Sequence, residues 1–456
     1  METYHFKALL TDSGWKENVR IQTNTEGLIV QIEENSSPAG IELDFGLPGF
    51  QNAHSHAFQY AMAGLAEKHS TSETPDDFWS WREAMYSLAL SISPDDLEAI
   101  AKMLYSEMLR HGYTDVAEFH YVHHDKNGDE YPNLSEMGMR LISAAKSVGI
   151  GITLIPIFYQ KGGFGKEPTD GQKRFISSGL NEYLRLFEAS KKSCESYEHA
   201  NIAVGIHSMR GVEPKVIAEL AKNYLPDVPF HIHVSEQLKE IEDSIAYLDK
   251  RPVEWMLDNI EMNDRFHLVH ATHLNDSETE RLAKSGANVV LCPSTEGNLG
   301  DGLFPLKKFQ DQNGAWSIGT DSHVGINPLE ELRILDYGQR LISHKRNIFY
   351  SGTEGNSALY AFKQVTIAGR KAMNNYNQSY FKVGEYLDVA VVSRDHPLLE
   401  NCSFENLANT ILYSSDASMQ SHTISKGKLV VQNGSHIETK SIRKEFSEAI
   451  IRLNNR

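Results

Sequence analysis

Cysteine is scarce in this chain. Only Cys194, Cys292 and Cys402 occur among 456 residues, and no two of them form a C-x-x-C pair. That excludes a disulfide framework and a thiolate zinc site of the usual spacing. Long apolar runs are missing too, and no stretch approaches the roughly 20 residues that a membrane-spanning helix needs. The first residues, METYHFKALLTDSGWKENVR, lack the basic-then-apolar order of a signal peptide, so a cytoplasmic protein is expected. Positive charge is in short supply: 44 Lys and Arg stand against 61 Asp and Glu, a formal charge of -17. Such a surface repels nucleic acid and anionic membranes. An anionic substrate would have to be bound by a few local arginines against the overall field. Internal repeats and low-complexity linkers are absent.

What the chain does hold is hydrophobic residues at 40 % and 20 histidines. Both ends read as short strands: His5–Leu10, Val19–Gln22 and Leu28–Glu33 at one end, and Tyr386–Val392, Leu429–Gln432 and His436–Glu438 at the other. Asn433-Gly434-Ser435 reads as a hairpin turn, and Ile442–Leu453 as a closing helix. The middle alternates strands and helices. Candidate strands are Gly46–His56, Thr114–His120, Ile152–Tyr159, Ile202–His207, Val228–Val234, Phe266–His270, Ala287–Cys292 and Ala315–Asp321. Several are unbroken apolar runs, as strands buried on both faces require. Helix caps are legible at Ser93-Pro94-Asp95-Asp96, with a stop at Gly112, and at Asn275–Glu278, with a stop at Gly286. The expected fold is therefore α/β: a (β/α)₈ barrel over 47–375, with its site at the strand C-terminal ends, and a small β-sandwich domain from 1–46 plus 376–456.

Histidines and one aspartate fall at those strand ends. His54 and His56, two apart on a strand, share one face. His233 follows the same logic in VPFHIHVSE, and Glu236 adds a carboxylate three residues on. His231 reads as an interior histidine. In RFHLVHATHL, His270 ends the strand, ahead of its competitors His267 and His273. Asp321, which alone would read as a helix N-cap, becomes an oxygen ligand and a base opposite the imidazoles. Three neutral histidines and one aspartate suit one divalent metal, zinc first, and a metal ion in such a site activates water.

The order H-x-H, H-S-x-R, H-V-S-E, V-H-A-T-H and T-D-S-H resembles the amidohydrolase superfamily. LPGFQNAHSHAFQYAMAGLAE, DDFWSWREAMY, VAEFHYVHHD, PSTEGNLGDGLFP and GTDSHVGINPLEELRILDYGQRL resemble, within it, the formimidoylglutamate deiminase family, along nearly the whole chain. The chain departs from that pattern at Ala53, Met209, Gly211 and Gly297. The resemblance implies a zinc-dependent hydrolysis of N-formimino-L-glutamate to N-formyl-L-glutamate and ammonia. It implies His54, His56, His233 and Asp321 as metal ligands, and Glu236, His270 and Asp321 as catalytic groups. It implies Gln59, Arg82, Tyr121, His207 and Arg210 as substrate contacts, and barrels of this type point to a homodimer. No lysine ends the fourth strand, so one metal is expected rather than two. Arg82 and Arg210 suit a dicarboxylate, since a guanidinium pairs with a carboxylate bidentately. Trp79 and Trp81 would shield Arg82. The segment between His56 and Ser93 is a candidate lid. A related deaminase acting on another amidine or a ring is the nearest alternative. A silent scaffold barrel would have lost a ligand, and none is lost here.

Overall fold

A computed structural model of the chain describes residues 1–67 and 78–454, apart from the side chains of 78–80. Residues 68–77, inside the segment expected as a lid, lie outside the described residues. Eight parallel strands follow one another around the molecule: Phe50–Ser55, Tyr113–His120, Gly151–Phe158, Val204–Ser208, Phe230–Val234, Phe266–His270, Asn288–Leu291 and Ala315–Ile318. Ala200–Ile202 pairs beside the third of these. The third strand, GITLIPIF, is buried at every residue, which is why its sequence runs apolar rather than alternating; the fifth and sixth are buried throughout as well, with histidines on their inner face.

The ring closes between the eighth strand and the first. Thr320 and Asp321 donate their backbone N–H to His54 O at 3.0 and 3.1 Å, and His56 N donates to Asp321 O at 3.2 Å. The Asn52 side chain pins the same seam. It accepts from Thr320 N at 3.0 Å and donates to Thr320 Oγ1 at 2.8 Å. Gly319 permits the approach, because a Cβ there would stand 2.7 Å from His54 Cβ and 2.8 Å from His54 O.

Helices connect the strands on the outside, and local sequence decides where they begin and end. Pro94–Arg110 starts on a complete capping box between Ser93 and Asp96. Asp276–Ser285 starts on one between Asn275 and Glu278 and stops at left-handed Gly286. No helix among the described residues is long and apolar enough to cross a membrane.

Both termini build a second sheet of eight strands. Its order is Ser435–His436, Lys428–Gln432, Gln420–Ser425, Val389–Val392, Ile41–Pro48, Glu2–Thr11, Gly14–Thr23 and Ile29–Glu33. The hairpin at Asn433-Gly434 is present, with φ of 49° and 71° and Gln432 paired to Ser435. The expected single strand Gly46–His56 is in fact two. Ile41–Pro48 pairs with Val389–Val392 in the terminal sheet. After Gly49 the chain crosses to the barrel, where Phe50 N donates to Gly112 O at 2.9 Å. The turn pair Pro48-Gly49 stands at the change of sheet. Several other expected strands are shorter than read, among them Val389–Val392, Ser435–His436 and Ala315–Ile318, and Gln420–Ser425 was not anticipated. Lys426 ties the two sheets together. Its buried ammonium donates to both Asp115 oxygens and to Asp388 Oδ2, each at 2.8 Å.

Candidate active site

The expected strand-end residues converge at the C-terminal mouth of the barrel. The Nε2 atoms of His54 and His56 lie 3.2 Å apart, and His233 Nε2 is 3.0 Å from His54 Nε2. Asp321 Oδ1 faces His54 and His56 at 3.4 and 3.2 Å. Neighbouring strands orient two of the rings. His56 Nδ1 donates to Phe119 O at 2.7 Å, and His233 Nδ1 donates to His207 O at 2.9 Å. A nitrogen facing a carbonyl carries the hydrogen, so each of these rings presents a bare Nε2 lone pair to the cluster.

That arrangement tests for a metal. Lone pairs about 3 Å apart repel one another unless a cation lies between them. Two ligands at about 2.1 Å from one tetrahedral ion stand about 3.4 Å apart, close to the spacings here. The four residues are buried, with their ligand atoms all within 4.8 Å of one another. Burial pulls His54 down to about 3 and drives His233 well below the usual imidazole range, which keeps both neutral as ligands. Burial pushes the Asp321 carboxyl up, but His54 and His56 outweigh it and hold Asp321 well below the usual carboxylate range. The donor set fits one divalent ion. His231 and His267 stack on each other at 4.8 Å inside the barrel, where His231 Nε2 donates to Ala372 O at 2.9 Å. They and His273 stand outside the cluster.

Backbone strain marks the same rim. Ser235, His270 and Asp321 have φ of 54°, 67° and 46°, a left-handed conformation costly for side chains other than glycine. Left-handed Ser235 turns the chain between His233 and Glu236. Glu240, in the first turn of the next helix, fastens that turn by accepting from Ser235 N at 3.1 Å and Glu236 N at 3.2 Å. Glu236 Oε1 then stands 3.7 Å from His270 Nε2, and Asp321 Oδ2 stands 3.7 Å from the same nitrogen. His270 Nδ1 donates to Glu296 Oε1 at 3.2 Å, which also takes Cys292 N at 2.9 Å. Burial pushes the Glu236 carboxyl up, and Asp321 and Glu240 add to it against His270 and Arg210. Burial pulls His270 down, yet Glu236, Glu296 and Asp321 lift it to about 10. A dication on Asp321 would oppose that rise, as a like charge.

A cavity opens over these groups, and all five expected substrate residues line it. Gln59 Nε2 donates to Tyr121 Oη at 3.0 Å. His207 packs on Tyr159 at 4.1 Å, and burial, with Arg210 adding, keeps it neutral. The Arg82 guanidinium lies over the Tyr86 ring at 5.5 Å. Trp81 lines the cavity beside it, and the Trp79 side chain lies outside the described residues. Arg210 is buried, and its neighbouring carboxylates, Glu236 and Glu240, are 3.7 and 3.8 Å away. Arg210 Nε and Gln59 Oε1 have no hydrogen-bond partner among the described residues.

Sequence reading missed Glu240, Glu296, Tyr86 and Tyr159. Only Glu240 left a signal, four residues after Glu236. The helix carrying Arg82 has a further support that no motif shows. Buried Arg174 donates to Ala89 O at 2.6 Å and Ile92 O at 2.8 Å, capping the end of Phe78–Ser91.

Comparison with known proteins agrees with this geometry. The chain is 39 % identical over 447 residues to a formimidoylglutamate deiminase of Pseudomonas aeruginosa, covering 97 % of each. A crystal structure of an amidohydrolase from Brucella melitensis superposes over 100 % of both chains, with a TM-score of 0.93 at 39 % identity. A zinc-bound adenosine deaminase from Xanthomonas campestris shares the fold at 18 % identity, with a TM-score of 0.79 over 100 % of this chain and 98 % of that one. The model of the amidohydrolase family matches residues 45–430. This protein therefore belongs to the amidohydrolase family and is a metal-dependent hydrolase.

Proposed function

We propose that the protein hydrolyses N-formimino-L-glutamate to N-formyl-L-glutamate and ammonia. One observation carries the reading: a buried guanidinium, Arg210, faces the cavity with no hydrogen bond to its Nε, beside the four metal donors. A buried donor left without a hydrogen bond is costly, and a substrate carboxylate would satisfy it. The relative with the deiminase name supplies the matching substrate class. Arg82 gives the second carboxylate a partner, and Gln59, Tyr121 and His207 complete the contacts.

A divalent ion on His54, His56, His233 and Asp321 would act as a Lewis acid and lower the pKa of a bound water. Zinc is the ion proposed, on the preference of an N₃O donor set. Asp321 accepts a proton from the attacking water at Oδ2, the oxygen turned away from His54 and His56. Glu236 holds a proton and passes it to the imino nitrogen, because the carbon accepts attack better when that nitrogen is cationic. His270, steadied through Nδ1 by Glu296, donates from Nε2 to charge developing at the tetrahedral centre. Asp321 then returns its proton to the leaving nitrogen as ammonia departs, and the hydroxyl proton of the tetrahedral centre passes to Glu236, restoring its protonated state. With this substrate go a place in histidine degradation, a cytoplasmic setting and a homodimeric state.

The test is ammonia release by the metal-replete enzyme. N-formimino-L-glutamate is expected to be turned over, and formamidine, which lacks both carboxylates, to be a poor substrate. No release from a protein shown to hold one metal would discard the substrate and keep the site. Arg210→Met is expected to lower kcat/KM by roughly 10²–10³-fold, since losing one partner of a buried charge pair costs about 2–5 kcal/mol. Equal kcat/KM for wild type and variant would sink the carboxylate role.

A further inference from the structure

Cys292 follows the seventh barrel strand and is fully buried at the site, yet nothing in the proposed reaction uses its thiol. Its Sγ, a ring nitrogen of His270 and a carboxylate oxygen of Asp321 all lie within 4.8 Å of one another. Asp321 divides its oxygens between two directions. Oδ1 faces His54 and His56, whereas Oδ2 faces His270 Nε2 at 3.7 Å. The first donor set uses Oδ1, so Oδ2 remains for a second ion. The cavity that exposes His270 and Asp321 supplies the approach.

We propose that His270, Cys292 and Asp321 form a second site for a soft divalent ion, bridged to the first through Asp321, and that filling it shuts the enzyme off. On binding, the Cys292 S–H and His270 Nε2–H bonds break, both protons pass to solvent water, and the sulfur–metal and nitrogen–metal bonds form. The ion then holds the Asp321 oxygen that takes the proton and the imidazole that steadies the tetrahedral centre. Inhibition follows from that overlap rather than from blocked substrate entry. A thiolate selects Zn²⁺ or Cd²⁺ over Mg²⁺ or Mn²⁺, so the hard ions leave the enzyme running. The inference rests on the metal-centre reading above.

Zinc titration of the zinc-loaded full-length enzyme tests it, with bound zinc measured by equilibrium dialysis beside ammonia release. The wild type is expected to take a second equivalent and lose activity by roughly 10²-fold or more, the scale of lost acid–base catalysis. Cys292→Ala and Cys292→Ser are expected to hold one equivalent and keep their activity at the same free zinc. Cys292→Ser nearly preserves the volume and removes the soft donor, in case the alanine variant folds poorly. With excess Cd²⁺, the thiolate-to-cadmium absorption is expected to be weaker in Cys292→Ser than in wild type. Equal inhibition of wild type and variants, or no second equivalent in wild type, overturns the proposal. Failure of the metal-centre reading looks different: the first equivalent fails to bind, or ammonia release does not depend on it.

Discussion

Removing the divalent ion is expected to bring ammonia release down to background and to lower the melting temperature, with one equivalent of zinc restoring both. The stability effect follows from the geometry of the cluster. Three imidazole nitrogens and the Asp321 carboxylate converge within 3.0–3.4 Å at their close pairs. In the folded protein they repel each other without a cation, whereas the unfolded chain separates them. An ion present at about 1,000 times its Kd stabilises the folded state by about 4 kcal/mol, and its loss would show as a shift of a few degrees in a chain this size. The activity effect follows because no other group in the cavity can acidify water to the same degree. Calorimetry and an ammonia assay on chelated and reconstituted samples read both. An apo-protein that melts like the holoenzyme would mean that the cluster is not a metal site. An active apo-protein would remove the metal from the reaction.

Glu236→Gln is expected to lower kcat by roughly 10²–10⁴-fold, the usual range for a lost general acid–base, while zinc content and melting temperature stay at wild-type values. The substitution keeps shape and hydrogen-bonding capacity but cannot carry the proton. Its neighbours argue for that role rather than for metal ligation. Glu236 stands outside the four-residue donor cluster, and its oxygens face His270 and Arg210. The turn that presents it is held by Glu240 through the backbone, so the glutamine side chain should sit where the glutamate did. A fall of less than about tenfold would be too small for acid–base catalysis and would move the proton transfer to Asp321 alone. Loss of zinc in the variant would instead assign Glu236 a ligand role.

Part of this molecule was legible in the sequence because it depends on near neighbours. Period-two spacing put His54 and His56 on one face, and placed His231 and His233 together facing away from Phe230 and Ile232. Capping boxes at Ser93 and Asn275 fixed two helix starts through contacts spanning three residues. Unbroken apolar runs signalled strands buried on both faces. The candidate metal donors were readable because a donor must be a particular residue type at a strand end, and few residues satisfy both conditions.

Other features depended on the barrel closing. Which carbonyl orients His56 is settled by the strand beside it, 63 residues away at Phe119. Asp321 meets His54 only because Gly319 lets the eighth strand reach the first. The crossing at Gly49 was marked only by the turn pair Pro48-Gly49, which does not say which sheet the chain joins on either side. Glu240, Glu296 and Arg174 take their roles from burial: Glu240 fastens the backbone of Ser235 and Glu236, Glu296 meets the ring of His270, and Arg174 caps the carbonyls of Ala89 and Ile92. Sequence by itself determined which side chains could hold a metal and roughly where along the chain they stand. Tertiary structure alone decided what each of them touches, because burial and through-space partners are properties of the closed barrel and not of any segment within it.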